Sequence, residues 1–133
     1  MFNLPKTERL CSKKQIEELY AHGQRLWVFP YSVCWLRCDA TNQPPVQVLV
    51  SVSKKRFHHA VDRNRVKRLT RECYRLHKPP LLQLVHDADC SLLLAFSYAH
   101  NEILDYDTLY HKMDKMVERL SQALQDNIAH PAQ

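Results

Sequence analysis

Apolar positions along the chain recur with two different periods. In SKKQIEELYAHG, Ile16, Leu19 and Tyr20 share one side of a short helix. Both ends of that segment are punctuated: Ser12 with Gln15 makes a capping box, and Gly23 stands where a C-terminal cap belongs. The period then falls to two. YSVCWLRC (31–38) alternates Tyr31, Val33 and Trp35 against Ser32, Cys34 and Leu36, and VQVLVSV (46–52) is valine-rich and almost continuously apolar. Both read as strands, and DATNQPP between them reads as a hairpin-like connection that predicts antiparallel pairing. A basic segment follows and ends at Pro79-Pro80, which cannot continue a helix. After a short connection comes a third strand, CSLLLAFSY (90–98). In DTLYHKMDKMVERLSQAL, residues Leu109, Met113, Met116, Val117, Leu120 and Leu124 return at helical spacing. The predicted order is α-β-β-α-β-α, with room for one extra short strand before the first clear one. That is an α+β sandwich, with helices packed on a small sheet.

Composition narrows the picture to one ordinary globular domain spanning 1–133: 45% of residues are hydrophobic and 25% charged. The one glycine, Gly23, excludes a Gly-rich phosphate loop. The five cysteines are odd in number and contain no C-x-x-C. MFNLPKTERLCSKK lacks the apolar core of a secretory signal, and no apolar stretch is long enough to span a membrane. Together these features point to a reducing cytoplasm. Cys34 and Cys38 lack the second ligand pair that a structural zinc site needs, and Cys73 reads as core.

Charge changes the picture more. The net charge of +5 hides a strong asymmetry. Ten of the nineteen basic residues fall between Lys54 and Lys78, against only Asp62 and Glu72, so this segment carries +8 and the rest of the chain −3. On a helical wheel over 60–77, Val66, Leu69, Cys73 and Leu76 fall within about 80° and face the sheet. Arg63, Asn64, Lys67, Arg68, Arg71, Tyr74 and Arg75 fill the opposite side, with Arg65 at the seam. A solvated helix face mixes acids with bases at i,i+4, for about 0.2–0.5 kcal/mol per pair. Here Arg63, Lys67 and Arg71 repeat at that spacing with no acid between them, so an external polyanion must offset the repulsion. The predominance of Arg favours planar, bidentate contacts to phosphate or guanine. No helix lies just upstream to complete a helix-turn-helix, so structured RNA with a single strand suits the segment better than a DNA groove. Asp62 reads as the cap of this helix and Glu72 as a partner for a neighbouring arginine. His58 and His59 read as loop residues, with phosphate contact as the alternative.

The stretch SVSKKRFHHAVDRNRVKRLTRECYRL (51–76) closely resembles the signature of the bacterial ribonuclease P protein subunit, R-N-R-x-K-R-x-x-R-E preceded by S-V-x-K-K. The matching residues are Ser51, Val52, Lys54 and Lys55, then Arg63, Asn64, Arg65, Lys67, Arg68, Arg71 and Glu72. Weaker similarity in ERL near the start, in IEELYAHG, and in the late strand and final helix extends the resemblance over nearly the whole chain. It implies a fold like the second domain of ribosomal protein S5, with a rare left-handed β-α-β crossover leading into the basic helix. It further implies that segment 51–78 grips a catalytic RNA in a 1:1 complex, through Lys54, Lys55, Arg63, Asn64, Arg65, Lys67, Arg68 and Arg71. A cleft between the sheet and the basic helix would hold the single-stranded 5′ leader of precursor tRNA. Ile16 and Tyr20 take the place of the family's aromatic pair on the first helix, with Tyr31, Val33, Trp35 and Arg75 completing the cleft. Which of the three strand residues faces RNA and which faces core stays open by one residue of register. Mg²⁺ held by the RNA would carry out the hydrolysis, with no catalytic or metal-binding residue on the protein. The residues agree: two-metal cleavage needs clustered carboxylates, whereas the acids here are scattered, and Asp105 and Asp107 read as caps of the last helix. The alternatives are another RNA-binding module of similar fold and a metal-dependent nuclease acting alone.

Overall fold

The computed structural model describes residues 8–39 and 44–130. Its elements run α1 (Lys13–His22), β1 (Gln24–Val28), β2 (Tyr31–Asp39), β3 (Val46–Ser51), α2 (Ala60–His77), α3 (Pro79–Asp87), β4 (Cys90–Tyr98) and α4 (Tyr106–Ala129). No helix of the described residues is long and apolar enough to cross a membrane.

The four strands lie in the order β1-β2-β4-β3. β2 pairs antiparallel with β1 and β4, while β3 pairs parallel with β4. The expected pairing of 31–38 with 46–52 is therefore corrected: β4 lies between them. Residues 40–43 of the DATNQPP connection lie outside the described residues. The last strand takes the central place because it is buried from Cys90 to Phe96 on both faces, as a central strand with helices on each side must be. Parallel pairing of β3 with β4 requires a crossover, which α2 and α3 supply.

The extra short strand allowed for by the sequence is β1, which turns into β2 at Phe29-Pro30 through a cis peptide. The connection expected after Pro79-Pro80 is instead the nine-residue helix α3, which buries Leu81 and Val85. Proline does end α2, but at the first positions of α3 its missing N–H costs nothing.

Helices α2, α3 and α4 cover one face of the sheet over the main core, and α1 covers part of the other. All six apolar residues expected to line α4 are buried. Asp105 is its N-cap residue, and the Thr108 hydroxyl donates to the Asp105 carboxylate, which holds that carboxyl below its ordinary pKa. At α1, the Gln15 N–H donates to Ser12 Oγ at 3.3 Å, as expected. Gly23 follows α1 with its N–H donating to the Leu19 carbonyl at 2.7 Å, but with an ordinary φ of −72°. Its reason is close approach: a Cβ there would stand 2.4 Å from the Leu19 carbonyl oxygen and 2.8 Å from Cys34 Sγ.

The basic helix sits rotated from its expected setting. α2 buries Val66, Thr70, Cys73 and Tyr74, while Leu76 is 41% exposed. Two residues that look polar on a wheel turn inward, Thr70 to a hydroxyl partner and Tyr74 to a ring contact. The Thr70 and Tyr31 hydroxyls lie 2.9 Å apart, and the Tyr74 ring packs on Phe96 with centroids 5.6 Å apart. Burial pushes the Tyr31, Tyr74 and Cys73 side chains up in pKa, Cys73 to about 11. Tyr31→Phe removes one partner of a buried hydrogen bond, leaves the Thr70 hydroxyl buried, and should cost about 1–3 kcal/mol. Urea unfolding checks the loss, and RNA affinity should stay at the wild-type value.

Candidate nucleic-acid interface

The cations between β3 and α2 are displayed by a tightly folded loop. Ser53 Oγ accepts from the N–H groups of Lys55 and Arg56 at 3.0 and 3.3 Å, and its carbonyl accepts from Arg56 and Phe57. Phe57 anchors the loop by burying its ring beside Tyr98, which leaves Lys54, Lys55 and Arg56 exposed. Arg63 ties this loop to the first turn of α2: its Nη1 donates to the carbonyls of Phe57 and His58, both at 2.9 Å. Arg63 is thus half-buried and turned back toward the loop, where the wheel places it outward. His58 and His59 are exposed loop residues beside it. The N-cap position belongs to His59, and Asp62 lies inside the first turn, where an acid favours the helix dipole without capping it.

Asn64, Arg65 and Arg68 are exposed along α2, with Lys67 and Arg71 half-buried beside them. Arg71 faces a residue that the charge pattern gave no reason to single out. Arg9 bridges to Val48 on the outer edge of β3, and the Leu10 N–H donates to the Val48 carbonyl at 2.8 Å. Burial first, and then the nearby Arg9 charge, push Arg71 down in pKa. A pair of crowded cations at one end of a basic ridge is a natural seat for phosphate. The only sequence signal for Arg9 was the weak ERL similarity.

The cleft set divides. Tyr31, Val33 and Trp35 all lie in the main core, with Trp35 only 2% exposed, so none offers a face to RNA. This corrects their placement in the cleft: the bulkier alternate set of β2 faces the main core, while Ser32 of the other set keeps solvent exposure. Where the cleft was expected between the sheet and the basic helix, α2 packs directly on the sheet through fully buried residues. Arg75 pairs with Glu72 at 3.4 Å beside Tyr106 of α4, a layer away from α1, so it does not line a groove with Ile16 and Tyr20. Glu72 does partner a neighbouring arginine, as expected.

The opposite face of the sheet is only partly covered. There α1 covers Cys34, Leu93 and Ala95 with Leu10 and Leu19, and the Cys34 thiol donates to the Leu19 carbonyl at 3.4 Å. Strand register sets Trp27, Ser32, Ser97 and Ser51 in one row across the sheet, beyond the residues that α1 covers. All three serines keep solvent exposure. Ile16 packs against the second core cluster, and one turn on, Tyr20 is exposed with Arg25 above its ring, 6.0 Å from the centroid. On the other flank of α1, Gln15 and Glu18 line a hollow with Asp39, whose acids disfavour a polyanion. The serine side, continuous along β3 with the Lys54–Arg56 loop, is the side that suits one.

The family profile described as Ribonuclease P matches residues 4–121. The chain belongs to the ribonuclease P protein family. It is 36% identical over 120 residues to the ribonuclease P protein component of Porphyromonas gingivalis, covering 90% of this chain and 88% of that one. Among solved structures, the RNase P protein of Thermotoga maritima superposes with a TM-score of 0.65 at 19% identity, over 84% of this chain and 96% of that one. The Staphylococcus aureus RNase P protein gives 0.64 at 18% identity, over 85% and 94%. These two similarities carry the fold, with its mixed α+β build.

Within this ribonuclease P protein fold, the carboxylates do not gather. Among the described residues, no three of His, Cys, Asp or Glu come together in a set that could hold a metal ion. The polar groups that do converge are cationic or hydroxylic, suited to binding phosphate and sugar.

Proposed function

We propose that the chain is the protein subunit of a cytoplasmic ribonuclease P ribonucleoprotein, binding its catalytic RNA 1:1 and holding the single-stranded 5′ leader of precursor tRNA. The observation that carries this reading is an exposed cationic surface and a row of hydroxyls placed around one sheet. Lys54, Lys55, Arg56, Asn64, Arg65 and Arg68 make the exposed, Arg63-tied cationic surface, while the serine row lies on a partly open sheet face beside α1, which we take as the floor of a groove. The ridge neutralises phosphates of the folded RNA, with Lys67 and the Arg9–Arg71 pair extending it. In the groove, Ile16 and Tyr20 form an apolar and aromatic wall, and the serine hydroxyls donate to phosphate or base oxygens.

The protein performs no bond chemistry in this reading. Mg²⁺ prefers hard oxygen ligands with several waters, which RNA and substrate phosphates supply, and hydrolysis proceeds there. The chain's own work is electrostatic and positional: it lowers repulsion between two RNA molecules and fixes the leader. The groove's floor is neutral and its rim cationic, so a flexible strand is held without demanding one sequence.

Reconstitution tests this. At low Mg²⁺, the protein should stimulate 5′ maturation of precursor tRNA by the cognate RNA and should cleave nothing without it. Cleavage by the protein alone would establish a stand-alone nuclease instead. Absence of stimulation would favour a different RNA-binding role on the same fold.

A further inference from the structure

Three aromatic rings gather in the open at the β1 edge of the sheet. Trp27 and Phe29 meet edge-to-face with centroids 6.4 Å apart, and Phe29 meets His100 at 4.9 Å. Trp27 is 51% exposed and Phe29 40%. A lone exposed aromatic calls for no explanation. A contiguous chain of three at the head of the serine row is different, because its two large rings stay exposed and His100 is only half-buried beside them.

The cations around these rings identify the occupant. Arg25 lies on the same strand face as Trp27, two residues earlier. Arg119 of α4 donates from Nη1 to the Trp27 carbonyl at 3.3 Å, and Arg56 donates from Nη1 to Asn101 Oδ1 at 2.9 Å, next to His100. Rings flanked on several sides by guanidinium groups complement a polymer that carries both flat π-faces and negative charge. Double-stranded RNA hides its base faces in the stack, whereas an unpaired strand presents them. Base–aromatic stacking is also indifferent to base identity, which matches a groove floored by small hydroxyls.

We propose that Trp27, Phe29 and His100 form a stacking platform for an unpaired base of single-stranded RNA, placed where the strand leaves the serine groove at the β1 edge. The proposal rests on the groove reading above, and it specifies which end of the strand's path reads base faces instead of phosphates.

The test uses the intact protein and oligo(A) as a single-stranded probe. Of the two tryptophans, Trp35 is buried in the core, so quenching on titration reports Trp27. Quenching should saturate, and Phe29→Leu, read by the same quenching, and Trp27→Leu, read by anisotropy of end-labelled oligo(A), should each weaken binding roughly 5- to 100-fold, the range carried by one stacked base. An abasic oligomer of equal length should bind the wild-type protein about as weakly as oligo(A) binds the variants. This arm needs no mutation and stands even where a variant folds poorly. Equal affinity for abasic and base-bearing strands, or equal competition by a duplex, would overturn the platform. Failure of the ribonuclease P reading itself would show as absent stimulation with the cognate RNA, a readout that oligo(A) binding does not use.

Discussion

Replacing Arg65 and Arg68 together with alanine should weaken binding to the proposed RNA partner by two to four orders of magnitude and flatten its salt dependence. These side chains are the exposed arginines of α2, so their removal takes away charge without disturbing the core. A charge-assisted hydrogen bond contributes about 1.5–3 kcal/mol net, or roughly tenfold to a hundredfold in affinity for each arginine. Each lost phosphate contact also lowers the slope of log affinity against log salt by about 1, so the double variant should lose about 2. Filter binding across a salt series measures both quantities. An unchanged slope would mean that the ridge does not touch phosphate. Arg63 is excluded from this pair because its guanidinium holds the carbonyls of Phe57 and His58, so its loss would also loosen Lys54, Lys55 and Arg56.

Trp35→Ala is the most damaging single substitution expected for the fold. Trp35 is the largest side chain among the fully buried residues, and its removal leaves a cavity between β2 and the helices above it. Truncating a buried aromatic to alanine costs about 3–5 kcal/mol, against a total stability of about 5–15 kcal/mol for a domain of this kind. Denaturant unfolding should show a large fall in midpoint, and RNA binding should weaken only as the folded fraction falls. A leader-contacting residue would behave in the opposite way, losing affinity at constant stability. Tyr20→Ala provides that contrast, since Tyr20 stands exposed on the wall of the groove.

These two substitutions mark the boundary between what could be read from the sequence and what could not. The α4 stripe was readable because six apolar residues keep one period over a long helix. The 63–72 signature was readable because its spacing is dense and specific. Sheet order was not: a strand apolar on both faces announces burial but not its neighbours, so β3 gave no sign that β4 separates it from β2. The side of β2 facing RNA was hidden for the same reason, since both of its alternate sets are covered in part. α3 was masked by two prolines that end one helix and begin the next. α2 turned because the Thr70 hydroxyl meets Tyr31 and the Tyr74 ring packs on Phe96, contacts that only the tertiary structure supplies. Arg63 looked like one more outward charge, and only the folded loop revealed its carbonyl partners.

The central place of β4 has a consequence for how the chain is made. During synthesis β1, β2, β3 and the whole basic helix emerge before the strand that joins them. The two halves of the sheet therefore remain unpaired until residues 90–98 arrive. Contacts of such long sequence separation close late and slowly. Ser97 belongs to that same strand and occupies the middle of the serine row. A nascent chain thus displays its cations early, but the serine row is complete only when the sheet closes.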